Sequence, residues 1–210
     1  MQNQRYSQSY FFLILLAILS LVFAWSAISP LDRFTWWLEV LPVLIALPLL
    51  VFTYPRFQFT HLAYNLILVH AIILMVGGHY TYAEVPAFNW LRDAFDLSRN
   101  YYDRVGHLAQ GFVPAIITRE ILLKQSPLKQ GRWLFFIVSC ICLSISVCYE
   151  FIEWWVAIAS GTDAEAFLGT QGDVWDTQWD MFLALLGALT AQVLLSKLHD
   201  KQMSEMQVRR

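Results

Sequence analysis

The chain has 210 residues, of which 58% are hydrophobic, 16% aromatic and 14% charged. Soluble domains carry about 25% charged residues, so water alone cannot solvate this surface and lipid must cover most of it. The net charge of −2 leaves no electrostatic footprint for a nucleic-acid partner, and the length suits one bundle without a second domain.

A helix that crosses a bilayer takes about 20 mostly apolar residues, and about six segments meet that requirement. The first is Tyr10–Ile28. It follows Arg5 and is too long for the apolar core of a cleaved leader, so it reads as a retained helix. The second, Trp36–Tyr54, contains Pro42 and Pro48, which membrane helices tolerate when neighbours re-satisfy the freed backbone groups. The third is Thr60–Tyr80, with Asn65 and His70 expected to hydrogen-bond between helices. The connection Thr81–Asn100 carries Trp90, Leu91, Phe95 and Leu97 among charges; it is either an ordered loop or a short helix lying in the interface. The fourth segment, Tyr101–Leu123, is the least hydrophobic, and Arg119 and Glu120 near its end read as a local pair or as snorkelling ends.

The fifth segment is Trp133–Trp155 and holds Cys140, Cys142 and Cys148, expected as small buried residues rather than a disulfide frame or a zinc knuckle. Gly161, Gly169 and Gly172 permit turns in the acidic connection Ser160–Asp176. The sixth segment is Thr177–Leu198. The fold expected is therefore all-α: a polytopic membrane helix bundle over residues 1–198, with a polar, frayed cytoplasmic tail at 199–210. Trp25, Trp36, Trp37, Trp133, Trp154, Trp155, Trp175 and Trp179 fall near the proposed ends, where indole prefers the headgroup layer.

Six crossings put both termini on one side. That side holds every lysine (Lys124, Lys129, Lys197 and Lys201) with Arg5, Arg56, Arg132, Arg209 and Arg210. The other holds Arg33, Arg92 and Arg99 with Asp32, Glu84, Asp93, Asp96, Asp163, Glu165 and Asp173. The positive-inside rule makes both termini cytoplasmic.

An ionisable group inside a membrane helix costs about 2.5–3.5 kcal/mol, so each one asks for a partner or a use. Asp103, His107 and Gln110 share one face of the fourth helix at spacings of four and three, with Arg104 beside them. Glu150 and Glu153 share a face of the fifth. Asp173, Asp176 and Asp180 line one stripe if the sixth helix begins early enough; His79 closes the third helix and Glu39 opens the second. With the orientation above, all of these lie in the outer half of their helices. So many carboxylates at one depth need a divalent cation, shared protons, or pairing with Arg104, Arg92 or Arg99.

The stretches His79-Tyr-Thr-Tyr-Ala-Glu-Val-Pro86, Tyr102-Asp-Arg-Val-Gly-His-Leu-Ala-Gln-Gly-Phe-Val-Pro114, Glu150-Phe-Ile-Glu-Trp-Trp155 and Gly169-Thr-Gln-Gly-Asp-Val-Trp-Asp-Thr-Gln-Trp-Asp-Met181 resemble the YjdF-type bacterial inner-membrane proteins. The resemblance implies a multi-pass inner-membrane protein of a family without an established activity. It supplies no substrate.

Two functional readings follow. In the first, a divalent metal ion held by His107, Asp176, Asp180 and Asp103 activates water or a hydroxyl at the outer surface, with Glu150 or Glu153 as general base. Arg104, Gln110, His79 and Asp173 would contact the substrate, and a membrane lipid or lipid-linked headgroup lies at that depth. This reading needs His107 and Asp180 close together. In the second, the same carboxylates form the outer vestibule of a proton-coupled transporter or channel, which needs a polar path onward to the cytoplasm. A structural membrane protein with a satisfied polar cluster is the third possibility. No protein partner is legible.

Overall fold

The computed structural model describes residues 2–160, 165–168 and 170–208. Gly161, Asp163, Gly169, Arg209 and Arg210, and the side chains of Arg5 and Glu165, lie outside the described residues. The described residues form helices α1 (Gln2–Ala27), α2 (Arg33–Thr53), α3 (His61–Tyr80), α4 (Pro86–Phe95), α5 (Tyr102–Gln125), α6 (Arg132–Ser160), the single turn α7 (Glu165–Leu168) and α8 (Asp176–Val208). Helix starts follow local chemistry. Asp32 caps α2 by accepting from the Thr35 N–H, Thr60 caps α3 by accepting from the Ala63 N–H, and Pro86 opens α4 where its missing N–H costs nothing.

Helices α1, α2, α3, α6 and α8 are each long and apolar enough to cross a membrane. Leu13, Leu21, Ile45, Phe52, Phe136, Ile158 and Val193 are each more than half exposed on their outer faces. Only lipid makes such a surface stable. Cys140 and Cys148 belong to that outer surface, while Cys142 alone is buried. Trp36 also departs from expectation. It is a core residue whose indole N–H donates to the Ser26 hydroxyl at 3.2 Å, whereas the other boundary tryptophans are exposed.

Helix α5 is too polar to rank with those five, yet it runs the full length of the bundle among α3, α6 and α8. Its composition follows from that position, because a helix that faces protein on most sides needs partners rather than hydrophobicity. The α5–α8 crossing is very close. A Cβ at Gly111 would fall on the Ala184 carbonyl, and one at Gly187 on the Leu108 carbonyl. Small residues let membrane helices approach in this way and gain backbone-to-backbone dispersion contacts. Gly111→Val is accordingly expected to lower stability by about 1–3 kcal/mol or more by forcing α8 outward, read as a lower melting temperature of the purified protein.

Contacts sort the helix ends. At the lysine-rich end, Gln8 donates to the Tyr54 hydroxyl (3.2 Å), Lys124 to the Gln58 carbonyl (2.8 Å), and the Leu62 N–H to Gln202 (2.9 Å). At the acidic end, the Leu31 N–H donates to the His79 carbonyl (3.0 Å), and α5 begins beside the start of α8. The described residues after Lys197 are helical rather than frayed: α8 continues to Val208, with His199 and Met203 buried and Gln202 serving α3. At about 1.5 Å per residue, α8 is about 50 Å long and outruns a hydrocarbon layer of about 30 Å.

Between the two ends, α5, α6 and α8 meet through Val113, Ala115, Ile116, Val138, Cys142, Ala184 and Ala188, all essentially inaccessible. Ser139 and Gln192, hydrogen-bonded at 3.0 Å, and Ser146 are isolated polar groups buried within this mostly apolar layer. Asn65 is exposed, and the buried Nε2 of His70 has no hydrogen-bond partner among the described residues, so neither makes the interhelical bond expected of it.

Candidate functional site: a carboxylate and histidine cluster at the acidic end

The first turns of α5 and α8 and the last turns of α6 converge at the acidic end. On α5, the spacing of four that places Asp103 and His107 on one face brings His107 Nε2 to 3.4 Å from Asp103 Oδ1. The same nitrogen lies 3.6 Å from Asp180 Oδ1 on α8. On the other side of the ring, Nδ1 is 3.2 Å from the Gln110 amide oxygen and 4.0 Å from Glu150 Oε1 on α6. Glu153, one turn further along α6, joins Glu150 and His107 with ligand atoms mutually within 4.8 Å. Asp103, His107, Glu150, Asp176 and Asp180 are all buried.

Two arginines neutralise the aspartates. Arg104 Nη2 donates to Asp176 Oδ1 (2.6 Å) and Asp173 Oδ2 (3.0 Å), and its Nη1 donates to Asp180 Oδ1. Arg99 Nη1 reaches Asp176 Oδ1 at 2.6 Å and Asp173 Oδ2 at 3.6 Å, and its Nη2 lies 3.5 Å from Asp103 Oδ2. A planar guanidinium holds several carboxylates in fixed register, which a lysine cannot do. Asp173 belongs to the turn before α8 rather than to its first turn, but it still meets Arg104. Arg92 serves none of this and pairs at the surface with Asp93 (2.9 Å).

Arg99 and Arg104 serve Asp173, Asp176 and Asp180, and both lie within 3.6 Å of Asp103 Oδ2. No arginine pairs with Glu150 or Glu153 among the described residues, and Glu150 Oε1 is buried without a hydrogen-bond partner. The carboxylates around His107 thus divide into an aspartate side held by guanidinium groups and a glutamate side that lacks them.

Glu39 is a member that the sequence reading noted without giving it a role. It is buried, and the Tyr149 hydroxyl donates to it at 3.5 Å. Gly78 on α3 allows the Glu39 side chain in close, since a Cβ there would meet the Glu39 Cβ at 2.9 Å. The ring of Tyr82 packs over Gly77 and Gly106, and its hydroxyl lies beside the Glu39 carboxylate. Burial first, then the Glu39 charge, pushes the Tyr82 phenol well above its ordinary pKa, so it stays neutral and able to donate.

His79 does not join the cluster. Its Nδ1 lies 3.0 Å from the Ser26 carbonyl and its ring packs against Trp25 and Tyr80, at a separate corner between α1 and α3. It shares a depth with the cluster but not a side of the bundle.

Asn100 organises the surrounding loops. Fully buried, its amide donates to the Val85 carbonyl (3.1 Å) and Asn89 (2.8 Å), and its oxygen accepts from the Tyr102 N–H (3.0 Å). Gln171 exchanges two hydrogen bonds with its backbone, each 2.9 Å. The helix α4, the start of α5 and the turn before α8 are thereby tied together. Asparagine is so common in loops that its sequence position carries no such signal. The 81–100 connection combines both expected forms, ordered loop on either side of the short helix α4, on which Trp90 and Phe95 are exposed.

The pair Arg119 and Glu120 also differs from expectation. The two do not bind each other. Glu120, fully buried, accepts from the Thr60 N–H (2.9 Å) and hydroxyl (2.8 Å), from Lys124, and from His199 Nε2 (2.9 Å). Arg119 Nη1 reaches His199 Nδ1 (2.9 Å) and Asp200 (2.7 Å). This second network joins α3, α5 and α8 at the lysine-rich end. The pairing of α5 with α8 creates it, and that pairing is invisible in a sequence.

A family described as "Predicted membrane protein (DUF2238)" matches residues 11–201. The "Inner membrane protein YjdF" of Escherichia coli (strain K12) is 50% identical over 185 residues, covering 88% of each chain. No solved structure matches.

Proposed function

The chain belongs to the DUF2238 family of membrane proteins, located in the bacterial inner membrane, and from that premise we propose a divalent-metal site that performs hydrolysis or group transfer on a lipid or lipid-linked headgroup. One observation carries the reading: His107 presents Nε2 to Asp103 and Asp180 at 3.4 and 3.6 Å. Those separations are too long for good hydrogen bonds. They suit ligands on one ion, because metal–ligand distances of about 2.1 Å in tetrahedral geometry put ligand atoms about 3.4 Å apart. Gln110 supports the same assignment. A ligating imidazole commonly donates its other ring N–H to a carbonyl or carboxylate, and the Gln110 oxygen lies 3.2 Å from Nδ1.

In this reading Asp103, His107 and Asp180 hold the metal. Asp173 and Asp176 are taken by Arg99 and Arg104, which fix the start of α8 so that Asp180 points inward. Glu150 or Glu153, without an arginine of their own among the described residues, would be placed to accept a proton from a water or hydroxyl that the ion would activate. The lysine distribution supports placing both termini in the cytoplasm, α5 as a sixth crossing, and the site at the periplasmic surface. Glu153 is followed by the exposed Trp154 and Trp155, a pair suited to the headgroup layer. Below the site, Ser146 and His70 Nε2 are buried without hydrogen-bond partners among the described residues, which favours surface chemistry over proton-coupled transport, since transport needs a connected polar line.

The test is reconstitution of the full chain in vesicles of bacterial lipid extract, with product analysis by mass spectrometry in the presence of Mn2+, Zn2+ or a chelator. The expected result is a metal-dependent headgroup product, absent in His107→Ala and about a hundredfold slower in Glu150→Gln. Unchanged lipids under every metal, from protein that retains its fold, would remove the catalytic reading.

A further inference from the structure

We propose that the lysine-rich end carries a separate binding site for a phosphate group, held by the free edge of the Arg119 guanidinium. A cavity of about 250 Å³ opens there between the ends of α5 and α8 and the start of α6. Arg119, Gln130, Gln192, Ser196 and Asp200 line its polar side, and Leu134 and Phe135 its apolar side.

Arg119 is 5% exposed, and its contacts with His199 and Asp200 both run through Nη1. These contacts leave Nη2 and Nε without a partner among the described residues, and Arg119 lines the cavity, so this edge is the one available to a ligand there. A guanidinium edge with free parallel donors matches two oxygens of a phosphate. Lys124 lines the adjoining cavity, and Lys129, Arg132, Lys197 and Lys201 each neighbour a lining residue in sequence, which concentrates basic residues at this end. Asp200 accounts for the remaining polarity. It borders both this cavity and the adjoining one lined by Lys124, Met203 and Ser204, so an ammonium beside the phosphate finds a carboxylate.

The exposed Trp133, next to the lining residue Leu134, sets the cavity at headgroup depth. The chemistry required is a phosphate, best satisfied with an adjacent amine. Either a phosphoethanolamine lipid headgroup or a soluble phosphate supplies it.

The experiment is native mass spectrometry of the full chain in detergent, titrated separately with phosphatidylethanolamine and with inorganic phosphate. Arg119→Gln removes the fork. Because it also disturbs His199, Ser196→Phe is run beside it to fill the cavity without touching that network. Binding at micromolar lipid, weakened at least tenfold in both variants, supports the site and identifies a headgroup. Binding of phosphate alone with the same losses supports the site and identifies a soluble ligand. No binding of either probe, or equal binding by wild type and Ser196→Phe, overturns the proposal.

Discussion

Arg104→Gln is expected to destabilise the purified protein by about 3–5 kcal/mol, the cost of stranding buried carboxylates once their partner is removed. Arg104 serves Asp173, Asp176 and Asp180 together, and its side chain is only 10% exposed. Arg99 remains on Asp176, but Asp180 loses the one guanidinium that pairs with it among the described residues and keeps only the His107 ring nearby. Arg104→Lys should fall between the two, because an ammonium supplies the charge without the fork. Thermal unfolding in mild detergent measures the effect. Saturating Mn2+ or Zn2+ should recover more of the melting temperature in Arg104→Gln than in the wild type, since a cation at Asp180 replaces part of the lost charge. An Arg104→Gln protein that melts like the wild type would mean that water, and not this guanidinium, stabilises the aspartates.

The second large effect belongs to Glu120→Ala at the other end. This carboxylate is fully inaccessible and accepts from Thr60, Lys124 and His199. Arg119 can only donate, so His199 Nδ1 accepts, which puts the ring proton on Nε2 facing Glu120. Removing the acceptor strands a buried imidazole N–H, the cap of α3 and an ammonium at once. A loss of about 3–5 kcal/mol is expected, on the order of 10 °C in melting temperature for a chain of this length. Glu120→Gln keeps the shape but turns an N–H toward existing donors, and should cost about 1–3 kcal/mol. A melting temperature in Glu120→Ala within 2 or 3 °C of wild type, roughly the effect of 1 kcal/mol, would show that the network does not hold α3 to α8.

Position along the helix bundle was legible in the sequence; lateral position was not. Hydropathy and lysine placement assign each polar residue to a helix and a level, and helical periodicity assigns it to a face. That was enough to bring Asp103, His107, Gln110, Glu150, Glu153 and Asp180 into one list. Which faces meet depends on helix packing order, which no local pattern encodes. His79 was therefore grouped with the cluster by depth although it packs against Ser26 and Trp25. Glu39 received no role although Gly78 lets it approach. The same gap hid the lysine-rich network. His199 was assigned to a tail because polar sequence after an apolar run reads as solvent-exposed, whereas the long α8 carries it back against α5. The low hydropathy of α5, a weakness in the sequence, is the mark of a helix surrounded by partners.

The most direct measurement is the metal content of the purified chain after dialysis against trace Mn2+ and Zn2+, determined by inductively coupled plasma mass spectrometry beside His107→Ala and Asp180→Asn. The account predicts about one ion per chain in the wild type, lost in both variants while each still melts cooperatively. A folded wild type without metal, or an ion retained by both variants, would contradict it and leave the cluster as an ion-paired network that positions α5, α6 and α8.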